Sequence, residues 1–264
     1  MQWSAGLKIG AAVALAVQFG AVAHAHDPEI HTFHCWQGCP VGASETNDLI
    51  VREIYTLSSN DETKFADWVA YRVTREAIGT SEGRRWAADP WLDPSETLEP
   101  ADYRDAPAAL GIDRGHQAPL ATFSGTAFAA DTNYLSNITP QASALNQGPW
   151  QYLEGAERDY ARRTGRLLYV LTGPLFERNR PPLPRADEPH RNPSGYWKLI
   201  VSDTGELNAF IFEQETPRSA SYCSHGVTLE EVERRTGLRF FPRLSRRSFG
   251  SLGQQLGCTV APNG

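Results

Sequence analysis

Asp113-Arg114-Gly115-His116 follows the apolar Leu110 and Ile112. It precedes two polar stretches, Asn133-Tyr134-Leu135-Ser136-Asn137-Ile138-Thr139-Pro140-Gln141 and Leu145-Asn146-Gln147-Gly148-Pro149-Trp150. The chemistry of these residue types converges. Imidazole titrates near neutral pH, so His116 can take a proton from water. The Arg114 guanidinium is permanently charged and presents a planar donor fork that matches phosphate. The carboxamides downstream are neutral oxygen donors, suited to a hard cation such as magnesium. Base, phosphate clamp and metal ligand together point to metal-assisted phosphodiester hydrolysis.

Immediately downstream, Asn146 reads as an N-cap, with Pro149 in the first turn. The predicted helix runs through Trp150, Leu153, Ala156, Tyr160 and Ala161 and stops near Gly165. Glu154 and Arg158 are four apart and fall on one face. They are either a surface ion pair or a catalytic pair bordering the site. Upstream, residues 49–57 and 65–74 read as strands. Residues 79–107 form a long loop, which in a compact domain is often functional. It carries Gly83-Arg84-Arg85-Trp86 and Asp89-Pro90. Residues 133–138 read as a short strand, and residues 167–171 as a buried strand closed by Gly173-Pro174. Residues 196–202 and 207–212 are two more, joined by the hairpin turn Asp203-Thr204-Gly205. Thr228-Leu229-Glu230-Glu231 is a capping box whose helix stops at Gly237. His190, in the proline-rich loop 181–192, reads as structural. Arg243, Arg246 and Arg247 read as a solvated basic face, with a remote phosphate contact as the alternative.

The 264 residues are globular in composition and suit a single domain over residues 26–264, since no low-complexity linker divides them. Residues 1–25 have the three parts of a signal peptide: Lys8, an apolar run over residues 9–22, and Ala23-His24-Ala25 as a cleavage site. No other segment is apolar enough to cross a membrane. The expected destination is therefore the periplasm or the exterior, where disulfides form. The four cysteines allow three pairings, and spacing does not choose among them. Zinc is a rival use for Cys35 and Cys39, with His31 and His34 nearby. The net charge of −6 is uneven: residues 26–149 carry 18 acidic and 8 basic residues, residues 150–264 carry 13 and 16. Acidic balance argues against tight, processive nucleic-acid binding but permits a local basic groove.

Asp-Arg-Gly-His, followed by Ser-Asn-Ile-Thr-Pro-Gln and then Leu-Asn-Gln-Gly-x-Trp-x-x-Leu-Glu, resembles the DNA/RNA non-specific endonucleases. Among them it is most like the secreted Serratia-type branch, which has a ββα-metal active site. The resemblance extends from Cys35 nearly to the C-terminus. It implies an α+β fold, with a central antiparallel β-sheet flanked by helices and the ββα-metal element at one side. It implies His116 as general base, Arg84 and Arg114 on the phosphate, and Asn146 as the direct ligand of Mg2+, with Mn2+ as a substitute. Glu154 would hold the metal's waters, and Asn137 would position the histidine or the scissile group. Asp113 would make a structural hydrogen bond near Arg114. The disulfides would be Cys35–Cys39 and Cys223–Cys258. The implied activity is a secreted, sugar-non-specific endonuclease that cuts DNA and RNA to 5′-phosphate products; homodimers occur in the family. Backbone contacts carry no sequence information, so specificity should be poor. Two alternatives stand beside this reading: a phosphodiesterase for small phosphate esters, and a catalytically silent nucleic-acid-binding protein of the same fold. Asn137-Ile138-Thr139 is also a glycosylation sequon, and a glycan there would obstruct the site.

Overall fold

Alternating apolar residues resolve into strands β1 (Asp48–Val51), β2 (Tyr55–Asn60), β3 (Phe65–Val73), β4 (Ile112–His116), β5 (Ile138–Ala142), β6 (Leu168–Leu175), β7 (Gly195–Ser202), β8 (Glu206–Glu213), β9 (Gly226–Val227) and β10 (Gly250–Ser251). The helices are α1 (Ala106–Leu110), α2 (Leu120–Phe123), α3 (Ser143–Leu145), α4 (Gln151–Thr164) and α5 (Leu229–Thr236). The structure is a computed structural model and describes Met1 and residues 30–80, 83–245 and 247–258. The expected leader therefore lies outside the described residues apart from Met1, as does Arg246. Among the described residues no helix is long and apolar enough to cross a membrane.

One large sheet runs in the order β1-β2-β3-β6-β7-β8-β10, with β9 also paired to β8. Its neighbours are antiparallel except β10, which joins β8 in parallel. The period-2 alternation sorts side chains to two cores. Val69, Tyr71 and Val73 of β3, with Tyr196 and Ile200 of β7, pack against Leu153, Tyr160 and Ala161 of α4. Trp68, Ala70, Trp197, Leu199 and Val201 face the other way, toward Leu229 and Val232 of α5 and the Cys35 and Cys39 region. With both faces covered, every residue of β7 is buried. The expected α+β class, a central antiparallel sheet flanked by helices, is the observed one.

β4 and β5 form a separate antiparallel pair beside this sheet. A third core of Phe65, Tyr103, Ile112, Leu135 and Ile138 supports it. Gly115 is obligatory here: a Cβ on it would lie 2.6 Å from the Gln141 Cβ. The close approach of β5 thus fixes the residue between Arg114 and His116.

Several boundaries differ from the sequence expectation. The single strand over residues 49–57 is a hairpin, β1 and β2, turned at Arg52, whose N–H donates to the Tyr55 carbonyl at 2.9 Å. Residues 133–138 are not a strand: 3-10 turns at Ala129–Asn133 and Leu135–Asn137 lead into β5. β6 does not end at Gly173-Pro174 but continues through them to Leu175 against β7. Asn146 is not an N-cap. It lies in a helical turn (φ −57°, ψ −47°) that follows α3, and the chain breaks at Gly148 before α4 begins. Thr228 does cap α5 by accepting from the Glu231 N–H, but the Glu231 carboxylate pairs with Arg234 rather than reaching back. α4 and α5 stop at Gly165 and Gly237 as expected. The cysteines pair as Cys35–Cys39 and Cys223–Cys258, which removes the zinc reading. His34 is buried and bonds to Thr56 instead.

Candidate active site

β4, the segment after α3 and the start of α4 converge on one cleft of ≈ 470 Å³. Arg84, Trp86, Asp113, Arg114, His116, Asn146, Gln147, Glu154 and Arg158 all line it. β4, which β5 pairs with, and the helix that follows thus bring together residues far apart in the chain.

His116 ends β4. Its Nε2 lies 3.2 Å from Asn133 Oδ1. The carboxamide oxygen accepts, so Nε2 carries the proton and Nδ1 holds the basic lone pair. Burial, with the nearby Arg84 guanidinium, lowers the imidazole pKa to about 4 against the pull of Asn133. The ring is therefore neutral at pH 7. Trp86 sits beside it, ring centroids 5.2 Å apart.

Asn137 does not reach the cleft; it is fully buried behind it. Its Oδ1 accepts from the Ala118 N–H at 2.8 Å, and its Nδ2 donates to the Ala118 and Thr132 carbonyls at 2.9 Å each. It ties the chain just after His116 to the chain just before Asn133. Of the two positions expected for it, histidine or scissile group, its contacts run toward the histidine. A side chain so enclosed also bars a glycan at this sequon in the folded protein.

Asp113 works on the side of the metal ligand candidate rather than on Arg114. Its Oδ1 accepts from Ser143 Oγ at 2.7 Å, and its Oδ2 from Asn146 Nδ2 at 2.9 Å and Gln147 Nε2 at 2.7 Å. The Asn146 nitrogen is thereby committed, which leaves its Oδ1 as the free end of the amide. The main-chain break at Gly148 makes this placement possible. A Cβ there would lie 2.6 Å from the Arg218 carbonyl oxygen, so only glycine fits. Arg218 in turn donates to Gln147 Oε1 at 2.9 Å.

The arginines are held differently. Arg114 donates from Nη2 to the Pro100 carbonyl at 2.8 Å and lies over Tyr103 and Trp86, 5.2 Å and 5.5 Å from the ring centroids. It is a fixed cation. Arg84 is exposed at the rim, and it is Arg84 rather than its neighbour Arg85 that lines the cleft. Its loop is pinned to the site at Ala87, whose carbonyl accepts from the Leu135 N–H at 2.9 Å. Asp89, in the same loop, is buried against Arg52 and accepts from Ser136 Oγ at 2.5 Å.

Glu154 and Arg158 are not a bland surface pair, since both border the cleft. Glu154 is 12% exposed, and Lys198 Nζ of β7 lies 3.9 Å from its Oε1. Burial pushes its carboxyl up to about 7, against the opposing pull of Lys198 and Arg158. Behind it Lys198 and Glu157 are both fully buried and 3.2 Å apart. Sequence reading passed over Lys198, Glu157 and Asn133. One signal was available: Lys198 interrupts the otherwise apolar run Tyr196-Trp197-Lys198-Leu199-Ile200-Val201. A lysine in such a run is rarely buried without a partner.

The sequence profile of the DNA/RNA non-specific endonuclease family matches residues 37–247. The chain is 49% identical over 210 residues to a nuclease of Serratia marcescens, covering 78% of this chain and 79% of that protein. It is 31% identical over 225 residues to the mitochondrial endonuclease G of Bos taurus, covering 76% of this chain and 71% of the relative. Among solved structures the fold is similar to one in the crystal structure of an EndoG/EndoGI complex. That likeness has a TM-score of 0.65 at 23% identity, over 76% of this chain and 88% of the other. At that identity the structural likeness speaks for the fold, while the family profile spans the cleft residues from Arg84 to Arg158. The chain belongs to the DNA/RNA non-specific endonuclease family.

Proposed function

We propose that this protein hydrolyses DNA and RNA backbones with His116 as general base and a divalent cation, Mg2+ or in its place Mn2+, held by Asn146. The observation that carries the reading is the pairing of two committed amides. Asn133 fixes the His116 tautomer, so that a neutral ring offers Nδ1 as base. Asp113 takes the Asn146 nitrogen, so that a neutral oxygen is left to the cleft. An amide oxygen that shares the cleft with a carboxylate, Glu154, is a donor set that suits a hard cation keeping most of its water. When bound, the cation supplies positive charge to the phosphate and to the departing oxygen.

The chain's own residues do the rest. Arg84 and Arg114 hold the phosphate and offset its charge. Nδ1 of His116 takes a proton from water, the water oxygen bonds to phosphorus, and the P–O3′ bond breaks. The 3′ oxygen takes a proton from solvent, and the phosphate stays on the 5′ side. Glu154 orders water at the cleft floor, with Arg158 beside it. Asn137 positions His116 through Ala118 and Thr132. Nothing in this set reads a base or a 2′ hydroxyl, which agrees with a family described as non-specific. We further propose export: the two disulfides suit an oxidising compartment, and residues 1–25 would be removed.

The test is digestion of plasmid DNA, single-stranded DNA and RNA by the mature protein, with Mg2+ and with EDTA, beside His116→Ala. Cleavage of all three substrates should need the metal. It should fall by about 10²–10⁴-fold in the variant. Metal-dependent cleavage that survives His116→Ala would place the base elsewhere. Activity confined to small phosphate esters would favour the phosphodiesterase alternative.

A further inference from the structure

Lys198 is fully buried within β7. An ammonium in such a place is costly unless its charge is answered. α4 and β3 answer it. Nζ lies 3.2 Å from Glu157 Oε1, 3.9 Å from Glu154 Oε1 and 3.4 Å from the Tyr71 hydroxyl. It also sits 4.3 Å from the Trp150 ring centroid. The Tyr71 hydroxyl donates to Glu157 Oε2 at 3.1 Å. Arg158, on the same helix as both glutamates, acts electrostatically on Glu154. Two carboxylates thus face two cations, with Lys198 and Glu157 closed to water and Glu154 and Arg158 at the edge of the cleft.

The distances distinguish the two carboxylates. At 3.2 Å, Lys198 and Glu157 are a close ion pair; at 3.9 Å, the Glu154 contact is beyond hydrogen-bond length. Glu157 and Tyr71 therefore keep the ammonium one step back. Glu154 is exposed to its charge without being captured by it, and remains at the cleft. We propose that Lys198, Glu157 and Tyr71 are positioning residues that hold the Glu154 carboxylate at the floor of the cleft, acting by charge through a contact that Glu157 keeps long. The set touches no substrate. The inference rests on the role of Glu154 in hydrolysis proposed above.

The test is a charge-balance cycle in the mature, oxidised protein: Lys198→Met, Glu157→Gln and the double variant, beside wild type and His116→Ala. kcat and KM on DNA, the thermal midpoint, and the titration of the Glu154 carboxyl by carbon-13 NMR in the metal-free protein are measured. Lys198→Met leaves two carboxylates facing each other. Its kcat should fall about 10–100-fold, with KM within about twofold because Arg84 and Arg114 still hold the phosphate. Its Glu154 midpoint should rise by about one pH unit or more. Glu157→Gln gives Lys198 only Glu154 to approach, so kcat should also fall, but the Glu154 midpoint should drop. The double variant removes one charge of each sign, so its kcat should recover about tenfold over Lys198→Met.

A purely structural ion pair also recovers in the double variant, but in the thermal midpoint alone, with kcat and the Glu154 titration unchanged in every folded variant. That pattern, or a double variant whose kcat is no better than that of the worse single variant, overturns the proposal. Should Lys198→Met not fold, Tyr71→Phe keeps the volume and removes the hydroxyl. It should lower kcat a few-fold, beside a modest fall in the thermal midpoint from the lost hydrogen bond to Glu157, and an unchanged kcat would overturn the proposal. If His116→Ala cuts DNA like wild type, the catalytic reading falls on its own. The NMR titrations would then still decide whether the cluster governs Glu154.

Discussion

Asp113 shows how one carboxylate can organise a cleft through its hydrogen bonds. It accepts from Ser143, Asn146 and Gln147, and so decides which end of the Asn146 amide faces the cleft. Asp113→Ala frees that amide to rotate and should lower kcat about 10–100-fold and weaken Mg2+ binding, read by steady-state kinetics and calorimetry. Two titrations belong to this scale as well. His116 stays neutral down to about pH 4, whereas Glu154 protonates near pH 7. The acid limb of kcat/KM in wild type should therefore track Glu154. Apparent Mg2+ affinity should weaken as pH falls through about 7 and become flat in Glu154→Gln; a flat wild-type profile over that range would refute the assignment. His34 governs stability rather than activity. Burial lowers its pKa from 6.5 to about 4, so between those values the unfolded chain binds a proton that the folded chain does not. That contribution to stability is complete above pH 6.5 and is lost as pH falls toward 4. Denaturant midpoints measured at pH 7.5 and 4.5 should differ in that direction, and less so in His34→Gln. The residue types that line the cleft were legible in the sequence. Their partners were not, because Asn133 and Asp113 act through hydrogen bonds to residues 17 and 33 positions away.

At the scale of elements, the break between α3 and α4 carries the most consequence. A capped helix starting at Asn146 is what local preferences favour, and Gly148 overrules it because the Arg218 backbone passes too close for any Cβ. Gly148→Ala should destabilise the fold by about 1–3 kcal/mol through overpacking. It should also lower kcat, since Asn146 and Gln147 ride on the displaced turn; a calorimetric midpoint and kcat that both match wild type would contradict this. Asn137 plays a comparable part between β4 and β5, with three short hydrogen bonds to the main chain. The β1–β2 hairpin was read as one strand because residues 49–57 offer no glycine, proline or asparagine to mark a turn. The loop before β5 resembles a strand in sequence for the mirror reason. Tyr134, Leu135 and Ile138 look β-forming, yet the backbone turns so that Asn137 can reach Ala118 and Thr132.

Across the whole molecule, two disulfides of unequal weight close a small N-terminal loop and tie the C-terminal segment to the turn before β9. Cys223–Cys258 spans 35 positions and Cys35–Cys39 spans 4. On loop-closure grounds the long one is worth about 4 kcal/mol and the short one about 2 kcal/mol. Cys258→Ser should therefore lower the thermal midpoint more than Cys39→Ser, and an equal effect would point to strain or packing instead of chain entropy. The sequence by itself determined the residue types that line the cleft, their order, the strand-rich pattern and the C-terminal ends of α4 and α5, because these depend on side-chain identity and short-range periodicity. The resemblance carried by that order also supplied the fold class and the cysteine pairing. Only the tertiary structure decided which groups answer one another. β7 is buried on both faces, so its pattern signals burial without revealing a partner. The register of β3 and β7 under α4 sets Tyr71 and Lys198 against Glu157 and Glu154, and contacts across a sheet and a helix follow from register and packing rather than from any local run of sequence.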